Sequence, residues 1–352
     1  MGVFPRRFLI LAGLTGLLCG SALFLAQDFQ LRTRVSLVVV PVSVRDQTGA
    51  LLQSLPQEDF TILEDGKPQM ISNFSTEPQP LSAAIVIDTA MTGSQLRRFN
   101  LVAGVLMQKF HDVDEFAAYR FDHLVTKLSD FTNDPKKLEK SFDTVREIGE
   151  SKAADSEPDV VIGPSPLRWI LDRTQIGAPG APPDPSRPTP SAPKPSTNSR
   201  PTEVSRVLHD AIYTAAMDLE KRPTGRRKVL ILISSGQVSG TNEHSQGETT
   251  ARLFASGIQV YAVGTEPTFL QHFNQLNAYS HTSGGATFEG GNEEAMAASF
   301  GQIIEQARDQ YMLGYVSSNE VVGDRPVLRK IEVKLKDRKL RVTHRQSYLQ
   351  YP

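Results

Sequence analysis

The chain has 352 residues, of which 39% are hydrophobic and 22% are charged, and its formal net charge is −1. This length is enough for one large domain or two ordinary domains with buried cores. The near-neutral charge argues against a nucleic-acid binder, which normally shows a basic surplus on one face. Short basic runs, such as residues 226–228, flank predicted elements and are typical of solvated element ends.

The amino-terminal segment predicts export. Arg6 and Arg7 precede an uncharged, apolar stretch over residues 8–26, which is the pattern of a secretory signal. Small residues at 20–22 would suit cleavage, and the uncleaved stretch is just long enough to span a bilayer. We therefore expect residues 1–26 to be a signal peptide or an N-terminal membrane anchor. The rest of the protein is then extracytoplasmic, whether periplasmic, secreted or anchored.

Residues 30–80 have the pattern of the first part of a β domain. Residues 34–45 are rich in β-branched side chains and lead to a turn that contains Gly49. Residues 60–64 and 69–74 flank the pair Asp65-Gly66, which is a strong hairpin signal. This region is expected to be entirely β.

From residue 81 to about residue 310, strands alternate with helices. Near-continuous apolar runs predict buried parallel strands at 82–88, 228–236 and 258–264, with further strands at 115–122, 124–131 and about 287–288. Helical spacing of apolar residues predicts helices over 94–110, 135–147, 204–221, 245–256, 267–279 and 293–308. The alternation predicts an α/β fold with a doubly wound, mostly parallel sheet over residues 81–310.

Two further regions complete the predicted organisation. Residues 148–203 interrupt the alternation, and Pro, Ala, Ser and Thr dominate residues 177–201, so this insert is expected to be a mobile, partly extended loop. Residues 311–352 return to β, with strands at 311–316, 328–335 and 340–348. Because neither end has enough strands to bury a face alone, residues 35–78 and 311–349 are expected to form one small β-sandwich-like domain.

Several spaced motifs carry a resemblance to a known family. Residues 85–94, which include Asp88, resemble the first-strand motif Asp-x-Ser-x-Ser of von Willebrand factor A domains. Residues 232–236 resemble the strand that ends in an Asp-Gly pair in the same domains. Residues 58–69 and 311–315 look like the flanks of the VWFA-related family abundant in acidobacteria. Apart from the insert, the resemblance covers nearly everything from about residue 35 to residue 348.

The resemblance implies a metal-ion-dependent adhesion site. In such a site Mg²⁺ is held by an aspartate, two serines, a threonine and a later aspartate, and a partner's carboxylate completes the octahedron. It lies at the carboxyl ends of the parallel strands, where doubly wound sheets generally bind ligands. Oxygen ligands of this kind suit a hard cation.

This chain departs from the implied pattern at most positions. Asp88 is retained, Ala90 has no side-chain oxygen, and Thr92 can replace a serine. Arg206 stands at the second-loop threonine position with Ser205 beside it, and Ser235 replaces the later aspartate. The candidate metal residues are therefore Asp88, Thr92, Ser205 and Ser235, a degenerate set. Since a nearby arginine repels a cation, we favour a metal-free surface over tight Mg²⁺ binding and over weak or partner-assisted binding.

The remaining motifs do not predict catalysis. The sequence has no phosphate-binding Gly-Lys loop, zinc-spaced histidine cluster, paired cysteines or Gly-x-Ser-x-Gly elbow. We expect a non-enzymatic, extracytoplasmic binding or adhesion module with a protein or peptide ligand at the carboxyl edge of the sheet. The alternative is a structural or assembly component of the cell envelope acting without metal; an extracytoplasmic hydrolase is least favoured. Membrane contact is expected only through the N-terminal segment.

Overall fold

The computed structural model describes residues 37–156, 206–266, 273–320 and 323–352. The predicted signal or anchor over residues 1–26, most of the Pro-rich insert, and Ser205 lie outside these residues. The described residues all fall in one compact unit, Leu37–Pro352. None of their helices combines the length and the apolar character that crossing a bilayer requires.

The described residues form fourteen strands and six α-helices. The strands are β1 Leu37–Arg45, β2 Phe60–Glu64, β3 Lys67–Gln69, β4 Ile71–Ser75, β5 Leu81–Asp88, β6 Glu115–Phe121, β7 Val125–Thr132, β8 Arg227–Ser234, β9 Gln259–Gly264, β10 Thr287–Glu289, β11 Tyr311–Val316, β12 Val327–Leu335, β13 Arg341–His344 and β14 Ser347–Gln350. The helices are α1 Gly93–Lys109, α2 Pro135–Ser156, α3 Leu208–Glu220, α4 Gln246–Ser256, α5 Phe273–Ser283 and α6 Glu293–Arg308.

A six-stranded sheet forms the centre of the α/β part. Its strand order is β10-β9-β8-β5-β6-β7, and all neighbours are parallel except the antiparallel edge pair β6–β7. When these six strands are numbered along the chain, from β5 as strand 1 to β10 as strand 6, their order across the sheet from β7 to β10 is 3-2-1-4-5-6. This is the strand order of a doubly wound fold. The predicted fold class is therefore confirmed.

Two helical layers cover this sheet, because alternate residues of each central strand point to opposite faces. In β5, Ile85 and Ile87 pack in one core with α1, α2 and α6. Ala84 and Val86 pack in the other core with α3, α4 and α5. All four side chains are fully buried, as expected for a strand with helices on both sides.

The two ends of the described chain build a β sandwich. Its two four-stranded sheets have the orders β13-β1-β11-β4 and β14-β12-β2-β3, so each sheet mixes amino-terminal and carboxyl-terminal strands. β1 runs antiparallel to β11 from the pair Leu37–Val316 to the pair Val42–Tyr311. Inward-facing residues of both sheets share one core. The terminal segments therefore pack together, as the sequence predicts.

Two predicted strands are wrong in their extent. The hairpin strand predicted at 69–74 is split, because β3 closes the hairpin with β2 and β4 joins the other sheet. The turn residues Asp65 and Gly66 both have positive φ, 48° and 81°, which fits the predicted tight turn. The strand predicted at 340–348 is likewise split into β13 and β14, which lie in different sheets. Alternation along a segment shows where strands occur but does not show which sheet each strand joins.

Helix α2 continues nine residues beyond its predicted end at residue 147. Two glycines explain the difference, because they permit a close crossing of α1 and α2. A Cβ at Gly149 would lie 3.0 Å from Leu96 Cβ, and one at Gly93 would lie 2.6 Å from the backbone nitrogen of Ala153. Residues 148–156 thus belong to the α/β fold rather than to the insert, and they bring Lys152 to the carboxyl edge of the sheet.

Two other helices differ from their predicted bounds. Helix α3 begins at Leu208, since Arg206 is extended and pairs with Ser239 through two backbone hydrogen bonds. Helix α5 continues to Ser283, past the predicted end at residue 279, and Gly284 with φ of 84° follows it. Residues 267–272 of that predicted helix lie outside the described residues.

Candidate functional site

Asp88, the last residue of β5, lies at the centre of the carboxyl edge of the sheet. Its side chain is fully buried. Ile87 pairs with Ile233, so Ser234 at the end of β8 comes beside Asp88 and donates a 2.8 Å hydrogen bond to Oδ2. The Ser235 hydroxyl lies 3.5 Å from the same oxygen, and the Ala90 backbone N–H donates to Oδ1 at 3.0 Å. Both carboxylate oxygens therefore already have donors from the protein itself.

Arg206 approaches this carboxylate from the segment before α3. Its Nε lies 3.9 Å from Asp88 Oδ2, and its Nη2 donates to the Ala90 carbonyl at 3.1 Å. The side chain is 13% exposed, and Nε is buried without a hydrogen-bond partner among the described residues. Backbone hydrogen bonds from Arg206 N to Ser239 O and from Val207 N to Asp122 O fix the segment in place. The position that the resemblance gives to a metal-binding threonine thus carries a cation directed at Asp88.

Lys152 reaches the same loop from the end of α2. Its Nζ donates to the Thr89 carbonyl at 2.6 Å and to the Met91 carbonyl at 3.3 Å. The pKa of Lys152 is lowered by burial, against the raising influence of the charge on Asp88. We call Lys152 and Arg206 the cation clamp, because together they donate hydrogen bonds to the three successive carbonyls of residues 89–91.

The protonation of Asp88 reflects opposing influences. Burial raises its pKa, because the charged form loses hydration. The hydrogen bond from Ser234 and the positive charge of Arg206 act in the opposite direction, and the net pKa lies above its ordinary value. The carboxylate therefore depends on its local donors and on Arg206 for the stability of its charged form.

Thr92 serves the start of α1. Its hydroxyl accepts a hydrogen bond from the Gln95 backbone N–H at 3.3 Å, and the Gln95 side chain accepts one from the Thr92 backbone N–H at 2.9 Å. This reciprocal arrangement is a capping box. The Ser94 hydroxyl lies 3.0 Å from the Thr92 hydroxyl. The oxygen that the sequence offers as a metal ligand is thus engaged in capping the helix.

The structure brings together only part of the predicted metal set. Asp88 and Ser235 are neighbours, Thr92 caps α1, and Ser205 lies outside the described residues. Sequence reasoning missed Ser234, although two adjacent apolar strands that each end in a polar residue could have indicated the pair. It also missed Lys152, because the predicted helix ended at residue 147 and residue 152 was placed in the insert.

The residues present do not fit a Mg²⁺ site. Magnesium requires near-octahedral coordination by oxygen atoms. Both oxygens of the Asp88 carboxylate accept hydrogen bonds, and Arg206 lies 3.9 Å away. In the part of the chain that the structure describes, no group of three or more His, Cys, Asp or Glu residues is arranged to hold a metal ion. The hydrogen-bond donors and Arg206 around Asp88 favour an edge whose negative charge is neutralised by the protein's own side chains.

A groove of about 980 Å³ lies at the opposite, amino edge of the sheet, between α1 and α6. Asp114, one of the three acidic residues that line this groove, has structural partners: it accepts hydrogen bonds from the backbone N–H groups of Leu81 and His111 and pairs with Arg308. The carboxyl edge remains the better candidate, because doubly wound sheets bind their ligands there.

Comparisons with known proteins give structural matches alone. No protein-family model matches the sequence, and no curated protein matches it. Proximal thread matrix protein 1 from the mussel byssus is similar over 69% of this chain and 49% of its own, with 14% identity and a TM-score of 0.41. BatB from Bacteroides thetaiotaomicron is similar over 64% and 98%, with 12% identity and a TM-score of 0.35. A von Willebrand factor type A protein from Catenulispora acidiphila is similar over 89% and 72%, with 9% identity and a TM-score of 0.38.

The strand order, the two helical layers and the position of Asp88 agree with the resemblance in the sequence. The chain is von Willebrand factor A-like in fold. The present chain spans about half of the mussel protein that it matches. At these identities and TM-scores the matches carry no argument about ligands or metals. What this protein binds has to be inferred from its own residues.

Proposed function

We propose that this protein is a non-enzymatic, extracytoplasmic binding module that contacts a protein or peptide at the carboxyl edge of its central sheet without a metal ion. The observation that carries the proposal is the cation clamp. Lys152 and Arg206 bind the three carbonyls of the loop between β5 and α1, beside the buried Asp88. The chain therefore supplies the positive charge of this edge from its own side chains.

The chemistry of the clamp indicates the kind of group that it receives. In the adhesion site implied by the resemblance, a metal ion presents positive charge to a partner's carboxylate. Arg206 can present a guanidinium instead, since one of its nitrogens is anchored on Ala90 and its side chain remains 13% exposed. Guanidinium groups bind carboxylates in planar, charge-assisted pairs. An acidic side chain of a partner protein is thus the complementary ligand.

A second candidate function is that of a structural or assembly component of the cell envelope. The β sandwich formed from both ends of the described chain favours it, because such a domain offers a second surface away from the carboxyl edge. This role also needs no metal. The two candidates differ in which surface meets the partner, so a site-specific experiment separates them.

The test is photo-crosslinking from two positions on α1. Ser94 lies exposed in its first turn, at the carboxyl edge, and Gln108 lies exposed in its last turn, about 21 Å away along the helix axis. A photoreactive amino acid is placed at one or the other position in the full chain, which is expressed in the source cells. The proposal expects crosslinks to a protein from residue 94 and few or none from residue 108.

Two further arms complete the experiment. Chelator should leave the residue-94 crosslink unchanged, whereas Arg206→Met should weaken it. Equal crosslinking from both positions would favour the envelope-assembly role. Loss of the residue-94 crosslink in the presence of chelator would contradict binding without a metal ion. An unchanged crosslink in Arg206→Met would show that Arg206 does not contact the partner.

A further inference from the structure

Exposed apolar side chains concentrate at one end of the β sandwich. Nine large hydrophobic residues are exposed in the described part of the chain. Five lie at this end, which we call the sandwich tip: Leu37, Met70, Val316, Leu328 and Tyr351. Their exposed fractions run from 44% at Val316 to 83% at Met70. The other four are spread over the α/β part: Leu101, Val113, Leu124 and Met217.

The strand register shows that three of the tip residues share one end of the first sheet. Leu37 begins β1 and pairs with Val316 at the end of β11. Met70 directly precedes β4, whose first residue Ile71 pairs with Tyr315. The other end of β1 adjoins the α/β part, because Arg45 Nη2 donates to Gln306 Oε1 of α6 at 2.9 Å. The tip is therefore the end of this sheet farther from α6.

The second sheet contributes the other two residues at the same end. Leu328, near the start of β12, pairs with Leu349, and Tyr351 follows β14 directly. The buried Glu64 joins the two sheets here, since its Oε2 accepts hydrogen bonds from the hydroxyls of Tyr315 at 2.7 Å and Tyr348 at 3.0 Å. The strands that carry Leu37, Val316 and Leu328 are thus held together at this end by the buried Glu64, and Met70 and Tyr351 lie directly next to strand ends.

We propose that the sandwich tip contacts the surface of a lipid bilayer. The apolar stretch of residues 8–26 ends ten residues before Leu37. Ten residues span at most about 36 Å when fully extended. With that stretch held in a bilayer as an anchor, β1 begins close to the membrane, and the tip is the described surface that the connection leads to.

The residues around the tip suit the interface between lipid and water. Leucine, methionine and valine side chains can enter the outer acyl region, and Tyr351 combines an apolar ring with a polar hydroxyl. Arg325 and Lys330 are exposed at the same end beside the exposed Asp65 and Asp324, and their long basic side chains can reach lipid headgroups. Membrane contact would then extend beyond the N-terminal segment to the folded domain, and the carboxyl edge would remain available to a protein partner.

The experiment measures membrane depth at single positions in the full chain. In a Cys19→Ser background, one cysteine is introduced at Met70 or Leu328 in the tip, or at Leu101 or Met217 as controls exposed on the α/β part. Each is labelled with an environment-sensitive fluorophore, and intact mass confirms that residues 1–36 are present. The protein is reconstituted into phosphatidylcholine–phosphatidylglycerol vesicles that contain spin-labelled lipid in both leaflets.

The proposal expects blue-shifted emission and several-fold stronger lipid quenching at residues 70 and 328 than at residues 101 and 217. Equal quenching at tip and control positions would overturn it. So would a blue shift at the tip that disappears when the protein is diluted at constant lipid, because that result assigns the surface to a second copy of the chain. Neither result bears on crosslinking from residue 94, so this proposal and the proposed function can fail independently.

Discussion

At the scale of single residues, Asp88 has a role that needs no metal. Its carboxylate receives hydrogen bonds from the end of β8 and from the loop that leads into α1. Arg206 provides the nearby charge and at the same time binds a carbonyl of that loop. The aspartate therefore connects two strands and a loop at the carboxyl edge, and this structural role accounts for its presence there.

Replacing Arg206 with methionine should destabilise the fold in a pH-dependent way. Loss of the nearby charge should raise the pKa of Asp88 further above its unfolded value. An acid with a raised pKa binds more protons in the folded state, so the free energy of unfolding falls as pH rises from the unfolded to the folded pKa. We expect the variant to lose about 1–3 kcal/mol at neutral pH, and less in acid. Urea denaturation across pH measures this.

The double variant Arg206→Met/Asp88→Asn is the control. Without the carboxylate, the pH-dependent part of the loss should vanish, while the part due to the missing hydrogen bond to Ala90 should remain. A loss in Arg206→Met that is the same at every pH would show that Arg206 contributes through packing and that hydrogen bond alone.

Magnesium affinity provides a second prediction at this scale. We expect the wild-type protein to bind Mg²⁺ weakly or not at all. Ala90→Ser, Ser235→Asp and Arg206→Thr restore oxygen ligands and remove one cation, so the triple variant should gain affinity. Lys152→Gln should raise it further, because the triple variant still holds an ammonium group against the carbonyls of Thr89 and Met91.

Calorimetric titration in chelator-stripped buffer compares the three proteins, and the melting temperature of a variant that binds should rise with Mg²⁺. Binding by the wild type at micromolar concentrations would show that other side chains complete a metal site. Absence of binding in every variant would show that the loop backbones, as well as the side chains, differ from those of a metal site.

At the scale of secondary-structure elements, the crossing of α1 and α2 controls the carboxyl edge. The two helices approach closely at Gly93 and Gly149, and this approach places Lys152 against the loop after β5. Helix packing and the geometry of the candidate site are therefore linked, since a change in the crossing would move one half of the cation clamp.

Two glycine-to-alanine substitutions in α1 test this packing. A Cβ at Gly93 would lie 2.6 Å from the Ala153 backbone nitrogen, whereas one at Gly104 would meet no atom within 4 Å. We expect Gly93→Ala to cost about 1–3 kcal/mol through forced separation of the helices. Gly104→Ala should stabilise by about 0.5–1 kcal/mol through helix propensity. Chemical denaturation measures both, and equal effects would refute a close crossing.

At the scale of the whole molecule, residues far apart in sequence complete the sandwich. Glu64 accepts hydrogen bonds from Tyr315 and from Ser317, about 250 positions later in the chain. The Asp65-Gly66 turn follows Glu64 directly, so the motif before the α/β part meets the motif after it. The α/β part is accordingly an insertion between two halves of one β domain.

Deletion of residues 177–201 tests the independence of the insert from this fold. Their Pro, Ala, Ser and Thr composition offers little apolar surface to bury. We expect the melting temperature of the deletion variant to stay close to that of the wild type, as measured by calorimetry. A large decrease would show that these residues pack against the domain.

The sequence by itself determined the elements and the class of fold. Apolar runs such as residues 82–88 identified the buried strands, because a strand covered on both faces needs apolar side chains at nearly every position. Helical spacing located α1, α4 and α6 to within one residue at both ends, and alternation of strands with helices implied a doubly wound sheet. The Asp65-Gly66 pair identified the hairpin, since its positive φ angles are a local property of the chain.

Only the tertiary structure decided which elements meet. Which sheet each of the strands β4, β13 and β14 joins depends on its pairing with distant strands. The alternation of apolar and polar residues along a strand does not encode that pairing. Residues 148–156 were expected in the insert, yet Gly149 lies within α2, where Leu96 of α1 packs against it. Lys152 and Arg206 are 54 positions apart on either side of the insert. Both side chains contact one loop because of a helix crossing and a strand register. The chemistry of the candidate site therefore depends on tertiary packing and not on a sequence motif.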